Sequence, residues 1–319
     1  MDTQYCLHPV VSSSGVSYPC GKCPVCRMKY RKQMALRMYM EKCIDKPDYS
    51  YFITLTYDDQ FIPELKGRKC FSKNHLTTFI DSLRHRLRDK GYTLRYFGTC
   101  EYGEEGYRPH YHFIFYLYHI PGTRFEKIPK FSPGKWFPHL YFAEQICLPL
   151  WNKGFVSESV ATIGDIMYCT AYALKDDEAL ERDWTGFEEG KPFRLFSRKP
   201  GLGLTDSCVE WFSNFIFNGG YARNTISVNG PKKRVGCGIP TGIKRKLRLQ
   251  YEDVYNILKE SNLQHFDESQ TQLFNNALLY GSKRIVFNEK LGIKLDYTPD
   301  EEIKAFRKAL RIQSKRNRQ

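Results

Sequence analysis

The sequence predicts an α+β fold in which an antiparallel sheet is covered by amphipathic helices. The stretch Tyr51–Tyr57 is rich in β-branched and aromatic residues and is followed by a turn, as expected of a strand. Two further strands are predicted at Leu94–Tyr102 and Arg108–Tyr116, and the short loop between them makes the pair an antiparallel hairpin. Ahead of the hairpin, Ser72 is a typical helix N-cap residue, and apolar side chains follow it at helical spacing. We therefore expect a helix near residues 72–90 to cover one face of the sheet.

The sequence as a whole divides into three regions. Residues 1–48 contain a cysteine-rich segment and a helix rich in Lys and Arg, and residues 49–203 contain the predicted sheet. Within this second region, residues 140–151 and a segment that begins near Thr162 have helical periodicity. Residues 204–319 are predicted to be mainly helical and end in a series of basic residues.

Composition and charge indicate a globular protein that binds a polyanion. Of its 319 residues, 41% are hydrophobic and 15% aromatic, which is enough for a core, and the formal net charge is +14. This excess favours nucleic acid as the partner, although a merely basic enzyme can have the same composition. No apolar run approaches the ~20 residues that cross a bilayer, and residues 1–4 lack the features of a secretory signal. We therefore expect a protein of the cytoplasm, with no membrane partner and with its 11 cysteines reduced.

Three closely spaced cysteines predict a metal site near the N-terminus. Cys20, Cys23 and Cys26 form a Cys-x-x-Cys-x-x-Cys pattern, and Cys6, or alternatively His8, is available as a fourth ligand. This spacing is typical of a structural zinc site. An iron–sulfur cluster uses the same spacing, but the fourth cysteine with its following proline, as in bacterial ferredoxins, is absent from the sequence. Unligated cysteines in a surface loop are the remaining alternative.

Two histidines at alternate positions predict a second, different metal site. Alternate side chains of a strand point to the same face, so His110 and His112 could bind one ion. Glu101 lies at the end of the preceding strand, where the hairpin would bring its carboxylate to the histidines. The three residues predict a site with open coordination positions. Glu104 or Glu105 could serve instead, and Glu101 could simply be a solvated carboxylate.

Two tyrosines one helical turn apart are candidate nucleophiles. Tyr168 and Tyr172 lie on one face of a predicted helix, and Lys175 follows on the same side. The two phenols could attack the same phosphorus centre in turn, while the lysine stabilises charge or lowers a phenol pKa. Such pairs also arise by chance among 22 tyrosines, and Tyr251 with Tyr255 forms a rival pair on another predicted helix. Structural tyrosines packed under the sheet are a further alternative.

These motifs, in this order, resemble the HUH endonucleases of rolling-circle replication. The resemblance rests on Ile53-Thr54-Leu55-Thr56, Arg108-Pro109-His110-Tyr111-His112 and Tyr168-x-x-x-Tyr172-x-x-Lys175. Three further motifs are similar to the replication initiators of small single-stranded DNA phages, the gokushovirus group of the Microviridae. They are the cysteines of Pro19–Cys26, Glu101-Tyr102-Gly103 and Ser197–Gly201.

The resemblance implies a fold and a mechanism. The fold is an antiparallel sheet of about five strands flanked by helices, formed by residues 49–203 as an HUH endonuclease domain. A catalytic Mg²⁺ or Mn²⁺ would be held by His110, His112 and a third polar ligand, with Tyr168 or Tyr172 facing it. Attack on the DNA would give a 5′-phosphotyrosine link and a free 3′-OH, and the second tyrosine would later allow the strand to be rejoined.

The resemblance also implies partners. The substrate would be single-stranded origin DNA, and a host DNA polymerase would extend the 3′-OH. A host helicase would separate the strands, because the sequence has no Gly-x-x-x-x-Gly-Lys-Ser/Thr loop for ATP. A transposase or relaxase with HUH chemistry and a non-catalytic, zinc-stabilised DNA-binding protein are the alternative functions. The oligomeric state is not indicated by the sequence.

Overall fold

The computed structural model describes residues 6, 8–21, 23–103, 106–130, 140–170, 187, 190–217, 226–230, 233–237 and 239–257. The chain divides into two compact units, residues 1–208 and residues 209–319. Within the described ranges, no helix combines the length and the apolar character needed to cross a membrane.

The described residues form short hairpins, a larger sheet and several helices. The helices are α1 (Pro24–Met40), α2 (Lys73–Asp89), α3 (Leu148–Trp151), α4 (residues 163–170), α5 (Asp206–Phe217), α6 (Thr241–Gln250) and α7 (residues 252–257). The strands are β1 (Val10–Val11), β2 (Ser17–Tyr18), β3 (Tyr49–Tyr57), β4 (Glu64–Leu65), β5 (Arg68–Lys69), β6 (Tyr92–Tyr102), β7 (Pro109–His119), β8 (Gly154–Val160), β9 (Arg194–Phe196), β10 (Ile226–Gly230) and β11 (Lys233–Cys237). Two π-helical turns, Glu41–Asp45 and Phe142–Cys147, follow α1 and precede α3.

A five-stranded antiparallel sheet organises residues 1–208. Its strand order is β8-β3-β7-β6-β9, and every neighbouring pair is antiparallel. This confirms the predicted α+β class with an antiparallel sheet flanked by helices. The sequence pattern does not reveal β9, because this strand has only three residues and lies among Pro, Gly and basic residues that indicate a loop.

One face of the sheet, the core face, carries the main hydrophobic core. Ile53 and Leu55 of β3 and Phe113 of β7 are fully buried there together with the apolar side of α2. The helix begins as predicted, because the Ser72 hydroxyl caps it by accepting a hydrogen bond from the backbone amide three residues later. In β6, Gly98 lies opposite Phe113, and a β-carbon at position 98 would overlap the Phe113 ring. The packing therefore requires glycine at this position for space.

The opposite face, the site face, is partly covered by α1. The Tyr116 hydroxyl of β7 donates a hydrogen bond of 2.9 Å to the Met38 carbonyl of this helix. Just after α1, the fully buried Glu41 carboxylate pairs with Arg95 of β6 and accepts a hydrogen bond from the Gly203 amide. This ion pair ties α1 and the loop after β9 to the sheet.

The described part of residues 209–319 contains a β-hairpin as well as helices. Strands β10 and β11 pair antiparallel from Ile226 with Cys237 to Gly230 with Lys233, so the predicted turn at residues 229–231 lies at the hairpin tip. The helical prediction for this region did not include these strands, because five-residue strands leave too short a pattern in the sequence. Helix α6 forms as predicted and buries Ile243 and Leu247.

Candidate active site

Polar residues of three neighbouring strands meet on the site face. In the sheet register, Thr56 of β3 lies opposite His110 of β7, which lies opposite Glu101 of β6. In the next row, Thr54 lies opposite His112. Directly opposed residues of antiparallel strands point to the same face, so the three predicted ligands lie side by side.

Two threonines of β3 orient the two imidazoles. Thr54 Oγ1 lies 2.9 Å from His112 Nδ1, and Thr56 Oγ1 lies 3.0 Å from His110 Nδ1. A threonine oxygen that accepts a hydrogen bond from Nδ1–H leaves the Nε2 lone pair for a metal ion, which is the arrangement found around ligating histidines. The sequence placed these threonines on one face but did not reveal their partners, since strand pairing is needed to identify them.

Glu101 connects His112 to Tyr168 of α4. Its Oε2 lies 3.0 Å from His112 Nε2 and accepts a hydrogen bond of 3.2 Å from the Tyr168 hydroxyl. The Tyr168 and His112 rings meet edge-on with their centroids 5.2 Å apart, and Phe52 packs against both. Tyr168 is 42% exposed, whereas the Glu101 side chain is 12% exposed. The phenol therefore lies between the polar cluster and solvent, where an external substrate can reach it.

His110 lies beside this cluster at the end of the hairpin. Its ring centroid is 6.5 Å from that of His112, and a β-carbon at position 103 would come 2.9 Å from its Nε2. Gly103 therefore leaves space around that nitrogen. Burial lowers the pKa of His110, and the neighbouring His112 and Arg108 lower it further, while Glu101 opposes the shift. The lowered pKa favours neutral imidazole, the form that binds metals.

The donor set of the site face fits a divalent cation. Two imidazole nitrogens and one carboxylate suit a divalent ion with open coordination positions. Glu101 and His112 are in direct contact, with His110 beside them. The three are less tightly gathered than the cysteines, because among the described residues only the cysteine sulfurs form a group of three or more ligand atoms all within 4.8 Å of one another.

Several predicted site residues lie outside the described residues. They are Tyr172, Lys175, Glu104 and Glu105. Tyr168 is therefore the candidate nucleophile whose surroundings the structure gives. Of the rival pair, Tyr251 follows α6 with non-helical backbone angles and Tyr255 lies in α7, both within residues 209–319.

The four predicted cysteines come together at the N-terminal end of α1. The Sγ atoms of Cys6, Cys20, Cys23 and Cys26 could hold a metal ion. The Cys20 amide donates to the Cys6 sulfur at 3.1 Å, and the Cys23 amide donates to the Cys20 sulfur at 3.2 Å. Burial raises the pKa of the Cys26 thiol to about 12, so its thiolate needs a cation beside it. The alternative ligand, His8, is exposed and lies outside the group.

Comparisons with known proteins agree with the position of this site. A family model described as replication-associated protein ORF2 matches residues 50–177, which contain Glu101, His110, His112 and Tyr168. The chain is 31% identical over 247 residues to the replication-associated protein ORF2 of Spiroplasma virus 4, covering 75% of this chain and 70% of that protein. It is 26% identical over 223 residues to the replication-associated protein VP4 of Bdellovibrio phage phiMH2K, covering 68% and 65%.

A third relative is matched over a shorter stretch. The replication-associated protein ORF4 of Chlamydia phage 1 is 27% identical over 158 residues, which cover 49% of this chain and 38% of that protein. No solved structure matches the chain. The extent of the match to the Spiroplasma virus protein, together with the family model, establishes that the chain belongs to the family of phage replication-associated proteins.

Proposed function

We propose that the protein initiates rolling-circle replication as an HUH endonuclease that nicks single-stranded origin DNA. Family membership supports a role in phage replication, and the net charge of +14 suits a DNA substrate. The observation that carries the proposal is the contact between the exposed Tyr168 hydroxyl and Glu101, which also contacts His112. A nucleophile, a carboxylate and imidazoles thus share one face beside solvent.

In the proposed reaction, the Tyr168 oxygen attacks the scissile phosphorus in line with the leaving group. The new bond joins phosphorus to the tyrosine, and the bond to the 3′ oxygen breaks, which gives a 5′-phosphotyrosine and a free 3′-OH. Glu101, which already accepts the phenolic hydrogen bond, lies where it can take the phenol proton. Solvent returns a proton to the leaving 3′ oxygen.

The carboxylate alone is a poor base for this step. A glutamate has an ordinary pKa near 4.3 and a tyrosine one near 10, so the proton transfer is unfavourable by roughly 8 kcal/mol. Mg²⁺ or Mn²⁺ bound by His110, His112 and Glu101 would supply the positive charge that polarises the phosphate and favours the phenolate. Thr54 and Thr56 would keep the two imidazoles in the ligating orientation.

The second tyrosine and the lysine of the motif complete the proposal. Tyr172 would cleave the regenerated origin so that the displaced strand can be joined into a circle, and Lys175 would stabilise charge on the phenols. A host DNA polymerase would extend the 3′-OH and a host helicase would separate the strands in the bacterial cytoplasm. We assign this chemistry to residues 49–203, between the cysteine-containing residues 1–48 and the basic residues 204–319.

We propose zinc as the metal of the cysteine group. Four thiolates without an open position are typical of structural zinc, which stabilises the fold rather than acting on a substrate. Metal analysis of the purified protein should find one zinc per chain. Cys23→Ser should lower that content, whereas substitution of the exposed Cys43 by Ser should leave it unchanged. Zinc retained in full by Cys23→Ser would contradict the assignment.

A covalent adduct assay tests the nuclease directly. The substrate is a single-stranded oligonucleotide of the phage origin labelled at its 3′ end, so that the label stays with the strand that becomes attached to tyrosine. We expect an adduct that resists detergent with Mg²⁺ or Mn²⁺ and not with a chelator. Tyr168→Phe combined with Tyr172→Phe should abolish the adduct. Tyr18→Phe, a change at a tyrosine of β2 that is 38% exposed, is the matched control.

Other outcomes distinguish the alternatives. DNA binding without an adduct in either metal would favour a non-catalytic, zinc-stabilised DNA-binding protein. An adduct that persists in the double variant and is lost with Tyr255→Phe would assign the chemistry to the rival pair. Joining of the cleaved strand to an unrelated target, in place of its own origin, would indicate a transposase.

A further inference from the structure

The edge strand β9 extends two rows of the site face outward. Arg194 lies opposite Thr99, which lies opposite His112, and Phe196 lies opposite Phe97. Because opposed residues share a face, Arg194 and Phe196 also lie on the site face. At a strand spacing of about 4.8 Å, the backbone of Arg194 is roughly 10 Å from that of His112.

Neighbouring side chains complete a surface of alternating cations and rings, which we call the β9 patch (Tyr30, Arg194, Phe196 and Arg198). The Arg194 guanidinium lies over the ring of Tyr30 from α1, 5.1 Å from its centroid. The Arg198 guanidinium lies over the ring of Phe196 at 5.6 Å. Phe196 in turn stacks on the buried Phe97, with centroids 6.2 Å apart. Tyr30 is 37% exposed and Arg198 is exposed, so a ligand can reach both.

The chemistry of the β9 patch fits a single nucleic-acid strand. Single strands are bound by cations that contact phosphates and by aromatic rings on which unpaired bases stack. A guanidinium over one side of a ring adds a cation–π contribution and leaves the other side for a base. Exposed lysines flank the patch residues in sequence, namely Lys29, Lys191 and Lys199. A duplex keeps its base faces stacked inside and would use only the cations.

We infer that the β9 patch binds the DNA strand beside the scissile phosphate, with Tyr30 stacking on a base and Arg194 contacting the backbone. The inference rests on the proposed function for the position of the scissile phosphate, whereas strand binding itself does not require cleavage. Tyr30 and Arg194 hold substrate rather than take part in bond breaking. Their substitution therefore weakens DNA affinity and leaves the rate at saturating DNA largely intact.

Fluorescence anisotropy with full-length protein measures this affinity. The probe is a short labelled oligothymidine, and Tyr168→Phe is the common background so that no cleavage occurs. Tyr30→Ala should raise the Kd about tenfold, whereas Tyr30→Phe, which keeps the ring, should stay within about twofold. Arg194→Ala should raise the Kd to a similar extent and reduce the slope of log affinity against log salt by about one.

A matched control and a modified probe separate the two contacts. Arg84 of α2 also lies over a tyrosine ring, that of Tyr96 at 5.3 Å, and Arg84→Ala should leave the Kd unchanged. On an abasic strand of the same length, Tyr30→Ala should no longer weaken binding, because no base is present to stack. Arg194→Ala should weaken binding to the abasic strand as well.

The failure of this inference differs from the failure of the proposed function. An adduct on origin DNA with unchanged Kd in Tyr30→Ala and Arg194→Ala would leave the nuclease standing and overturn the β9 patch. The absence of any adduct, together with the expected losses of affinity, would retain the patch and remove the nuclease. An equal loss in Arg84→Ala, or equal losses on duplex DNA, would also overturn the inference. Arg194→Lys, which keeps the charge, should bind more tightly than Arg194→Ala if both variants unfold at the wild-type temperature.

Discussion

The two faces of the sheet use histidines in opposite ways although the same strands form both. On the core face, Nδ1 of His75 lies 2.9 Å from the hydroxyl of Tyr57, whose ring packs among other aromatic rings. On the site face, Nδ1 of His112 lies at the same distance from the Thr54 hydroxyl. The contrast is on the far side of the imidazole, because Nε2 of His112 faces the carboxylate of Glu101.

This contrast shows how one sheet can combine stability with chemistry. The core face is filled by fully buried aromatic and aliphatic side chains, so it contributes mainly to the free energy of folding. The site face holds hydroxyl, imidazole and carboxylate groups within hydrogen-bonding distance of one another. We therefore expect substitutions on the core face to change stability and substitutions on the site face to change activity.

The greatest loss of activity is expected for His112→Ala on the site face. Loss of a ligand from a catalytic metal site removes several kcal/mol of transition-state stabilisation, which corresponds to a rate about 10³-fold lower. The measurement is the initial rate of adduct formation on origin DNA. His119→Ala, at the opposite end of the same strand, is the control. A rate that falls only in proportion to the loss of folded protein would contradict the assignment of this face.

A large loss of stability is expected for Phe113→Ala on the core face. Phe113 is fully buried and its ring contacts those of Phe79, Tyr96 and Phe115, so truncation should lower the free energy of unfolding by about 3–5 kcal/mol. Urea denaturation measures the change. Phe155→Ala, at a phenylalanine of β8 that is 64% exposed, should stay within about 0.5 kcal/mol of wild type. Equal losses in the two variants would remove the distinction between buried and exposed positions of the sheet.

Long patterned elements were predictable from sequence, and short or paired ones were not. The alternation in β3, the periodicity of α2 and the hairpin that brings Glu101 to the histidines are local patterns, and so is the cysteine spacing. The three residues of β9 carry too little pattern to reveal an edge strand. The sequence also could not show that Glu101, which lies opposite His110, instead contacts His112 on the diagonal, because that choice depends on rotamers.

A weaker effect is expected for Thr54→Val, which removes the hydroxyl that orients His112 and keeps the side-chain shape. Loss of such an orienting partner typically lowers metal affinity or activity by about 10–100-fold. Titration of adduct formation with Mn²⁺ should show a higher half-saturating concentration. Thr93→Val, at an exposed threonine of β6, is the matched control and should behave as wild type. An unchanged Mn²⁺ requirement in Thr54→Val would mean that the Thr54 hydrogen bond does not orient a ligand.

The most modest effect concerns pH and the histidine of the core face. Burial lowers the pKa of His75, and the nearby Lys153 lowers it further. The unfolded chain, in which histidine has its ordinary pKa near 6.5, therefore binds this proton more readily than the folded chain does. The contribution of neutral His75 to stability is complete above that pKa and is lost as the pH falls through the lowered pKa of the folded state. Wild type should thus lose more unfolding free energy than His75→Gln between pH 8 and pH 5 in urea denaturation, with His85→Gln on the same helix as the control for the substitution itself. Parallel losses in wild type and His75→Gln would show that His75 has an environment in which its proton is accommodated without a penalty to folding.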